Sequence, residues 1–227
     1  MKKQGYQQVS AGDTKSKETE QTRSHPRLRW LIPFLLLAMV IVIGLFLFRE
    51  PAEAPPPTNE ALLRAIGPAS APVTITEFAD FGCITCKAWH QFGIREDILA
   101  EYGEQVRFVW RDFPVTTASS PKAAEAGFCA HDQGQFWAYH EILYANAPAL
   151  SVDNLKAYAD TIGLDTAQFN QCLDSSEHQD SVERELAAAS EQGFRSVPSF
   201  LVNGTKLIGP PSYEQLVAVI DEILAAQ

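Results

Sequence analysis

Glu77-Phe78-Ala79-Asp80-Phe81-Gly82-Cys83-Ile84-Thr85-Cys86 decides how this chain is read. Its first half is a short apolar run of strand type, and it leads directly into two cysteines with two residues between them. Thiols at that spacing lie within one helical turn and can close a small disulfide ring. The residues after Cys86 predict an amphipathic helix, which places Cys83 at a helix N-terminus. There a sulfur faces backbone N–H groups that lack intrahelical partners and the positive end of the helix dipole, and both favour the thiolate. The pattern points to thiol–disulfide chemistry.

The chain has 227 residues, enough for one sizeable domain with attachments. Its net charge of -10 is unevenly spread. Residues 1–29 carry seven Lys/Arg against three Asp/Glu, and the remainder holds eleven basic and 25 acidic residues, a net of -14. An acidic body without a basic stripe excludes nucleic acid as its partner, because phosphate contacts need clustered Lys/Arg. Solubility accounts for the acidity.

Residues 1–29 are polar and read as a disordered tail. Trp30–Phe48 is then a 19-residue uncharged run without a polar face, close to the length a helix needs to cross a bilayer. Pro33 falls in its first turn, where a missing N–H is tolerated. Lys2, Lys3, Lys15, Lys17, Arg23, Arg27 and Arg29 precede this run, whereas Arg49 and Arg64 follow it, so the N-terminus is expected on the cytoplasmic side. The remaining chain is then extracytoplasmic. Ala52-Glu53-Ala54 resembles a signal-peptidase site, but Pro55 follows and the preceding polar region is long, which favours an uncleaved signal-anchor. Pro51 and Pro55-Pro56-Pro57 make residues 49–58 a stiff spacer, lifting the domain ~30 Å from the membrane at ~3 Å per residue. Asn59–Ile66 is read as a short helix ended by Gly67-Pro68, and residues 67–227 as the domain proper.

Within that domain, Val73–Phe78 predicts one strand and Val106–Trp110 another. Lys87–Tyr102 between them predicts a helix with Trp89, Phe92, Ile98 and Leu99 on one face. Strand, helix, strand in that order is a parallel crossover. From about 120 to 193 the pattern is helical, more than a connection requires. Ser120-Pro121 reads as a cap with proline in the first turn, Phe136–Tyr144 as a dense aromatic segment, and Asp165 with Gln168 as a capping box. Phe200–Val202 and Thr205–Ile208 flank Asn203-Gly204, the signature of a type I′ hairpin. Ser212 and Gln215 cap a last helix with Leu216, Val219, Ile220, Ile223 and Leu224 on its apolar face.

This order, with Ala71-Pro72-Val73-Thr74-Ile75, Glu77-Phe78-x-Asp80-Phe81 and Val197-Pro198-Ser199-Phe200-Leu201-Val202-Asn203-Gly204, resembles the DsbA family of extracytoplasmic thiol–disulfide oxidoreductases, its membrane-anchored members above all. The resemblance implies an α/β fold, a thioredoxin fold with an inserted helical domain, here preceded by a single transmembrane helix. It implies that Cys83 is the exposed nucleophilic sulfur and Cys86 its buried partner, with no cofactor beyond that disulfide. Pro198 matches the cis-proline beside the disulfide, leaving the Val197 backbone to pair with a substrate strand, and Ile84 and Thr85 sit where substrate passes. Glu77 matches a buried acidic residue able to relay a proton to or from Cys86. The chain departs from the family between the cysteines, where a proline, and often an aromatic residue or histidine, is usual. The Thr85 hydroxyl is a weaker thiolate donor than such a histidine.

Cys129 and Cys172 form an even remainder, which in an exported domain suggests a structural bridge, as in some relatives. Two separate buried thiols are the alternative. The histidines show no ligand spacing among themselves, so no metal site is expected; His90, one turn beyond Cys86, could line the site, with a solvated helix position the favoured reading. The implied function is donation of the Cys83–Cys86 disulfide to cysteine-containing exported proteins, with a membrane partner that reoxidises the pair. A reductase or isomerase on the same fold, with a reducing membrane partner, is the near alternative. A thiolate metallochaperone for a soft ion such as Cu(I) is the alternative from another class.

Overall fold

The computed structural model describes residues 64–226. The polar tail, the Trp30–Phe48 segment and the spacer up to Leu63 lie outside the described residues. Among the described residues, no helix is long and apolar enough to cross a membrane.

Strand β2 (Val73–Ala79) is the axis of the domain. It runs parallel to β3 (Val106–Asp112), with Val73 opposite Val106 and Ala79 opposite Asp112. On its other side it pairs antiparallel with β4 (Ser199–Val202), which continues through Asn203-Gly204 into the edge strand β5 (Thr205–Ile208). Asn203 and Gly204 have φ of 43° and 100°, the left-handed values a primed turn demands. Asn203 also ties the turn to the start of β2, accepting from the Thr74 N–H at 2.8 Å and donating to the Pro72 carbonyl at 2.7 Å. The opposite edge is β1 (Arg64–Ile66), antiparallel to β3, so the sheet order is β1-β3-β2-β4-β5.

The two faces of β2 divide the core. Alternation puts Val73, Ile75, Glu77 and Ala79 on one face and Phe78 on the other. Val73 and Ile75 pack with Phe108, Phe200 and three helices: α1 (Ile84–Gln91) through Trp89, α2 (Ile94–Tyr102) through Ile98, and α8 (Tyr213–Ala225) through Leu216 and Ile220. Phe78 meets Phe194 with ring centroids 4.8 Å apart, beneath α7 (Gln179–Glu191). The inserted block consists of α3 (Ser120–Asp132), α4 (Phe136–Asn146), α5 (Val152–Thr161), α6 (Thr166–Asp174) and α7. It shares one apolar cluster with Phe81, Cys83, Cys86 and Trp110, and so closes over the end of β2 where the cysteines lie.

Several expectations are corrected. The predicted helix Lys87–Tyr102 is two helices, because Gly93 takes a left-handed φ of 71° between them. The break turns Phe92 outward, 76 % exposed, rather than onto the shared apolar face. Arg64–Ile66 is a strand rather than the end of a short helix, so the sheet begins inside the segment read as that helix. Arg64 is no free flanking charge. It is buried in ion pairs with Asp112 and Glu185, with its guanidinium 3.9 Å from the centre of the Phe128 ring. Ser120 does not cap α3: Ser119 holds the cap position, and Ser120 Oγ accepts from the Thr117 N–H. Asp165 caps α6 through the N–H groups of Ala167 and Gln168, while its own N–H goes to Gln133. The Ser212–Gln215 capping box is complete.

Cys129 on α3 and Cys172 on α6 are joined in a disulfide, 43 residues apart in sequence. The bridge removes loop-closure entropy from the unfolded chain, so Cys129→Ala/Cys172→Ala should lower the unfolding free energy by about 2–4 kcal/mol in denaturant titrations. Arg64→Ala leaves Asp112 buried without its cation. A loss of about 3–5 kcal/mol is expected, whereas a change below about 1 kcal/mol would show the pair to be dispensable.

Candidate active site

The turn between β2 and α1 builds the site. Asp80, fully buried, accepts from the Gly82 N–H through Oδ1 and from the Thr116 N–H through Oδ2, each at 2.7 Å. The Asp80 carbonyl accepts from the Cys83 N–H at 3.0 Å, which turns the chain into the first residue before the helix. Gly82 is required by close approach: a Cβ there would stand 2.6 Å from Ser120 Oγ and 2.8 Å from Thr117 Oγ1. These contacts leave Cys83 as the cap residue of α1 with extended backbone, its sulfur accepting from the Cys86 N–H at 3.2 Å.

The two thiols are thereby made unequal. Cys83 is lowered from an ordinary 9.0 to about 7. Hydrogen bonding from the Cys86 thiol is the main cause; burial opposes it, and the N–H groups of Cys86 and Thr85 add to it. Cys86, fully enclosed, is pushed far up by burial first, and then by its bond to Cys83 and by the charges of Cys83 and Glu77. Cys83 is thus the sulfur fitted to exist as thiolate and Cys86 the one fitted to stay protonated.

The other predicted residues gather here. The Val197–Pro198 peptide is cis, and the Cys83 thiol points to the Val197 carbonyl oxygen at 3.8 Å. Ile84 projects into solvent, 73 % exposed, and Thr85 is exposed beside it. Next to them runs an apolar groove lined by Thr85, Ala88, Trp89, Phe92, Pro211 and Gln215. Glu77 is fully buried on the same face of β2 as Ile75 and Ala79.

Of the two readings of His90, the structure selects the one that places it at the site and not in solvent. Its side chain is 4 % exposed, and both oxygens of Glu77 lie 3.1 Å from its Nε2, which bonds Oε1. Its ring stacks on Tyr144 at 4.8 Å and meets His140 edge-on at 4.5 Å. His140 and Tyr144 come from α4, and Trp110 of β3 completes the surround, 5.9 Å from His90 and 4.8 Å from His140. Burial pushes His140 down to about 3, so this ring is neutral. Asp80, His140 and Tyr144 were missed as site residues. Asp80 stood inside the quoted stretch, and the aromatic density of Phe136–Tyr144 was the one signal for the others.

The family model described as Thioredoxin matches residues 61–222. Among curated proteins, the chain is 33 % identical over 171 residues to the Na(+)/H(+) antiporter NhaA of Herminiimonas arsenicoxydans, covering 75 % of this chain and 27 % of that protein. It is 35 % identical over 162 residues to the Na(+)/H(+) antiporter NhaA 3 of Salinispora tropica, covering 70 % and 24 %. The chain therefore spans about a quarter of the length of these curated relatives. Among solved structures, a thioredoxin-like oxidoreductase from Silicibacter pomeroyi superposes with a TM-score of 0.65 at 26 % identity, over 75 % of this chain and 99 % of that one. BdbD from Bacillus subtilis does so at 0.67 and 21 %, over 74 % and 96 %. Alpha-DsbA1 of Wolbachia pipientis does so at 0.64 and 21 %, over 72 % and 92 %. The chain belongs to the thioredoxin family.

Proposed function

We propose that this protein is a membrane-tethered thiol–disulfide oxidoreductase that donates its Cys83–Cys86 disulfide to exported proteins. The inequality of the two thiols is the observation that carries the reading. A substrate thiolate attacks Cys83 Sγ, the S–S bond breaks, and Cys86 departs. A second substrate thiolate then attacks the substrate sulfur of the mixed disulfide and expels Cys83. A Cys83 lowered to about 7 is a good leaving group and stabilises the dithiol form, which favours passing the disulfide on. The exposed Ile84, Thr85, the apolar groove and the Val197 backbone are the surfaces a substrate segment would meet.

The organisation that goes with this function is a cytoplasmic tail (1–29), an anchor (30–48), a Pro-rich spacer that ends before β1, and the catalytic domain outside the cytoplasm. The support is the uncharged Trp30–Phe48 run, the basic residues before it and the structural Cys129–Cys172 bridge, which suits an oxidising compartment. A membrane partner would reoxidise Cys83 and Cys86 after each cycle.

Alkylation of Cys83 by iodoacetamide in the dithiol protein should rise with pH through a midpoint at about 7, while Cys86 stays unmodified. A midpoint near the ordinary 9.0 would remove the basis of the assignment. The same inequality sets the pH dependence of stability. Cys83 is lowered on folding, so the dithiol form gains stability as pH rises from about 7 towards 9.0. Above 9.0 the unfolded Cys86 ionises while the folded one does not, and stability is lost again. Denaturant midpoints of the dithiol protein across that range read this directly.

Cys86→Ala should leave substrate chains trapped on Cys83 as mixed disulfides, recovered under non-reducing conditions. The reduction potential should lie above that of thioredoxin, about −270 mV. A lower value turns the direction to reductase or isomerase, and the absence of any mixed disulfide sinks the oxidoreductase reading.

A further inference from the structure

The corner of the helical block that holds the Cys129–Cys172 bridge carries donor groups that a structural disulfide does not require. The two sulfurs and a ring nitrogen of His178 all lie within 4.8 Å of one another. The His178 ring also offers a nitrogen within that distance of an Asp132 oxygen and a Glu177 oxygen. No spacing in the sequence announces this group. Its members come from the end of α3, from α6 and from the turn between α6 and α7, and only the fold assembles them. Cys83 and Cys86 enter no such group among the described residues.

The group is held by more than its S–S bond. The Cys172 carbonyl accepts from the Glu177 N–H at 3.2 Å and from Ser175 Oγ at 3.1 Å, which folds the turn back onto α6. Lys122 of α3 reaches the same turn, donating to Ser176 Oγ at 2.9 Å and to the Leu173 carbonyl at 3.2 Å. Asp132 Oδ2 lies 2.6 Å from His178 Nε2, and the Phe128 ring stacks on the imidazole with centroids 5.2 Å apart. None of these ties passes through sulfur, so opening the bridge leaves α3, α6 and His178 in register.

We propose that Cys129 and Cys172, once reduced, bind a zinc ion together with His178, a carboxylate oxygen of Asp132 or Glu177 closing the fourth position. The site stands apart from the Cys83–Cys86 chemistry and does not depend on it. Thiolate, imidazole and carboxylate are the donors zinc takes, in a tetrahedron whose sulfur and nitrogen atoms are about 3.5–3.8 Å apart. The Cα atoms of the two cysteines are 5.9 Å apart, so rotation about their Cα–Cβ bonds spreads the sulfurs to that spacing without moving the helices. Both cysteines are buried while Asp132 and Glu177 are exposed, so the ion enters from the carboxylate side.

Two electrons from a dithiol reductant open the bridge. One thiolate of the reductant attacks a bridge sulfur and the S–S bond breaks. Its second thiolate then displaces that sulfur, so the reductant leaves as a disulfide and its two protons pass to Cys129 and Cys172. Zinc replaces those two protons as two Zn–S bonds form, and the neutral imidazole donates without proton loss. A disulfide oxidant reverses the sequence, taking two electrons, restoring the S–S bond and releasing the ion. Helices α3 and α6 are thus tied by sulfur in oxidising surroundings and by zinc in reducing ones, where a disulfide does not persist.

The test uses the full chain in detergent with Cys83→Ser and Cys86→Ser, which leaves Cys129 and Cys172 as its only cysteines. A phosphine opens the bridge without competing for metal, and cobalt(II) serves as the visible probe. The reduced chain should show a thiolate-to-cobalt charge-transfer band and the intense d–d bands of a tetrahedral ion, saturating at one equivalent and bleached by zinc. The chain with its bridge closed should show neither. His178→Ala should weaken zinc binding by about a hundredfold or more, beyond the effect of an outer-shell partner. A reduced chain that keeps its native circular dichroism and gives no charge-transfer band overturns the proposal. So does a His178→Ala chain that binds zinc as tightly as its parent. If reduction alone unfolds the domain, zinc should restore a cooperative melt and slow the alkylation of Cys129 and Cys172, and a chain that zinc does not refold counts against the site equally. Should His178→Ala fail to fold, the zinc-induced rise in melting temperature decides: it should be confined to the reduced parent chain, and an equal rise with the bridge closed overturns the site.

Discussion

The structure depends on one sulfur being held at the start of a helix while its partner, one turn on, is sealed from water. Cys83 Sγ accepts from the Cys86 N–H because Cys83 occupies the cap position of α1 with extended backbone. That position is set from behind by Asp80, whose two carboxylate oxygens tie Gly82 to Thr116 and whose carbonyl holds the Cys83 N–H. Asp80 in turn closes the central strand β2. The sheet therefore serves the site by delivering one residue, in one orientation, at the end of its central strand. Gly82 lets the loop pass close to Thr117 and Ser120, so the start of the inserted block is fitted against the same turn.

The inserted helices do the opposite work at Cys86. Helix α4 lays His140 and Tyr144 against His90 and Trp110, and this wall of rings excludes water from the second sulfur. A low-dielectric surround raises the cost of a charge there, while the first sulfur, at the rim, keeps its N–H donors. A bare helix would still favour charge on its first sulfur through the helix-start N–H groups, but it would not seal the second from water. The difference between them is made by sheet, turn and insertion together, and the Cys129–Cys172 bridge ties α3 to α6 in the block that forms the lid.

How much of this was legible follows from the range of each interaction. The strand and the cysteines, the Asn203-Gly204 turn and the Ser212–Gln215 cap are settled by neighbours within a few residues, and the sequence could be read for them directly. Arg64 could not be. Its strand has three residues, defined only by pairing with β3, and its partners Asp112 and Glu185 lie 48 and 121 residues away. His90 was misread for a related reason. One helical period carried through Lys87–Tyr102 gives a single face, whereas the left-handed Gly93 resets the phase. Trp89 and His90 then face inward while Phe92 turns to solvent. Glu77 was legible through strand alternation, since it shares the face of Val73 and Ile75, but its imidazole partner was not.

The pair Ile84-Thr85 takes on a different meaning once the source of the Cys83 shift is known. A histidine between the cysteines would stabilise the thiolate only while protonated, so its help would fade as pH rose. Here the donors beside Cys83 are the Cys86 thiol and the N–H groups of Cys86 and Thr85. A backbone N–H carries no proton equilibrium of its own in this range, so its contribution is constant with pH. Asp80 works weakly against the thiolate. The lowering of Cys83 is therefore set first by the Cys86 thiol and then by the helix-start N–H groups, and the side chains at 84 and 85 do not have to supply it. Released from that task, Ile84 and Thr85 stand exposed at the mouth of the site, where their shape can act on whatever approaches the Cys83 sulfur.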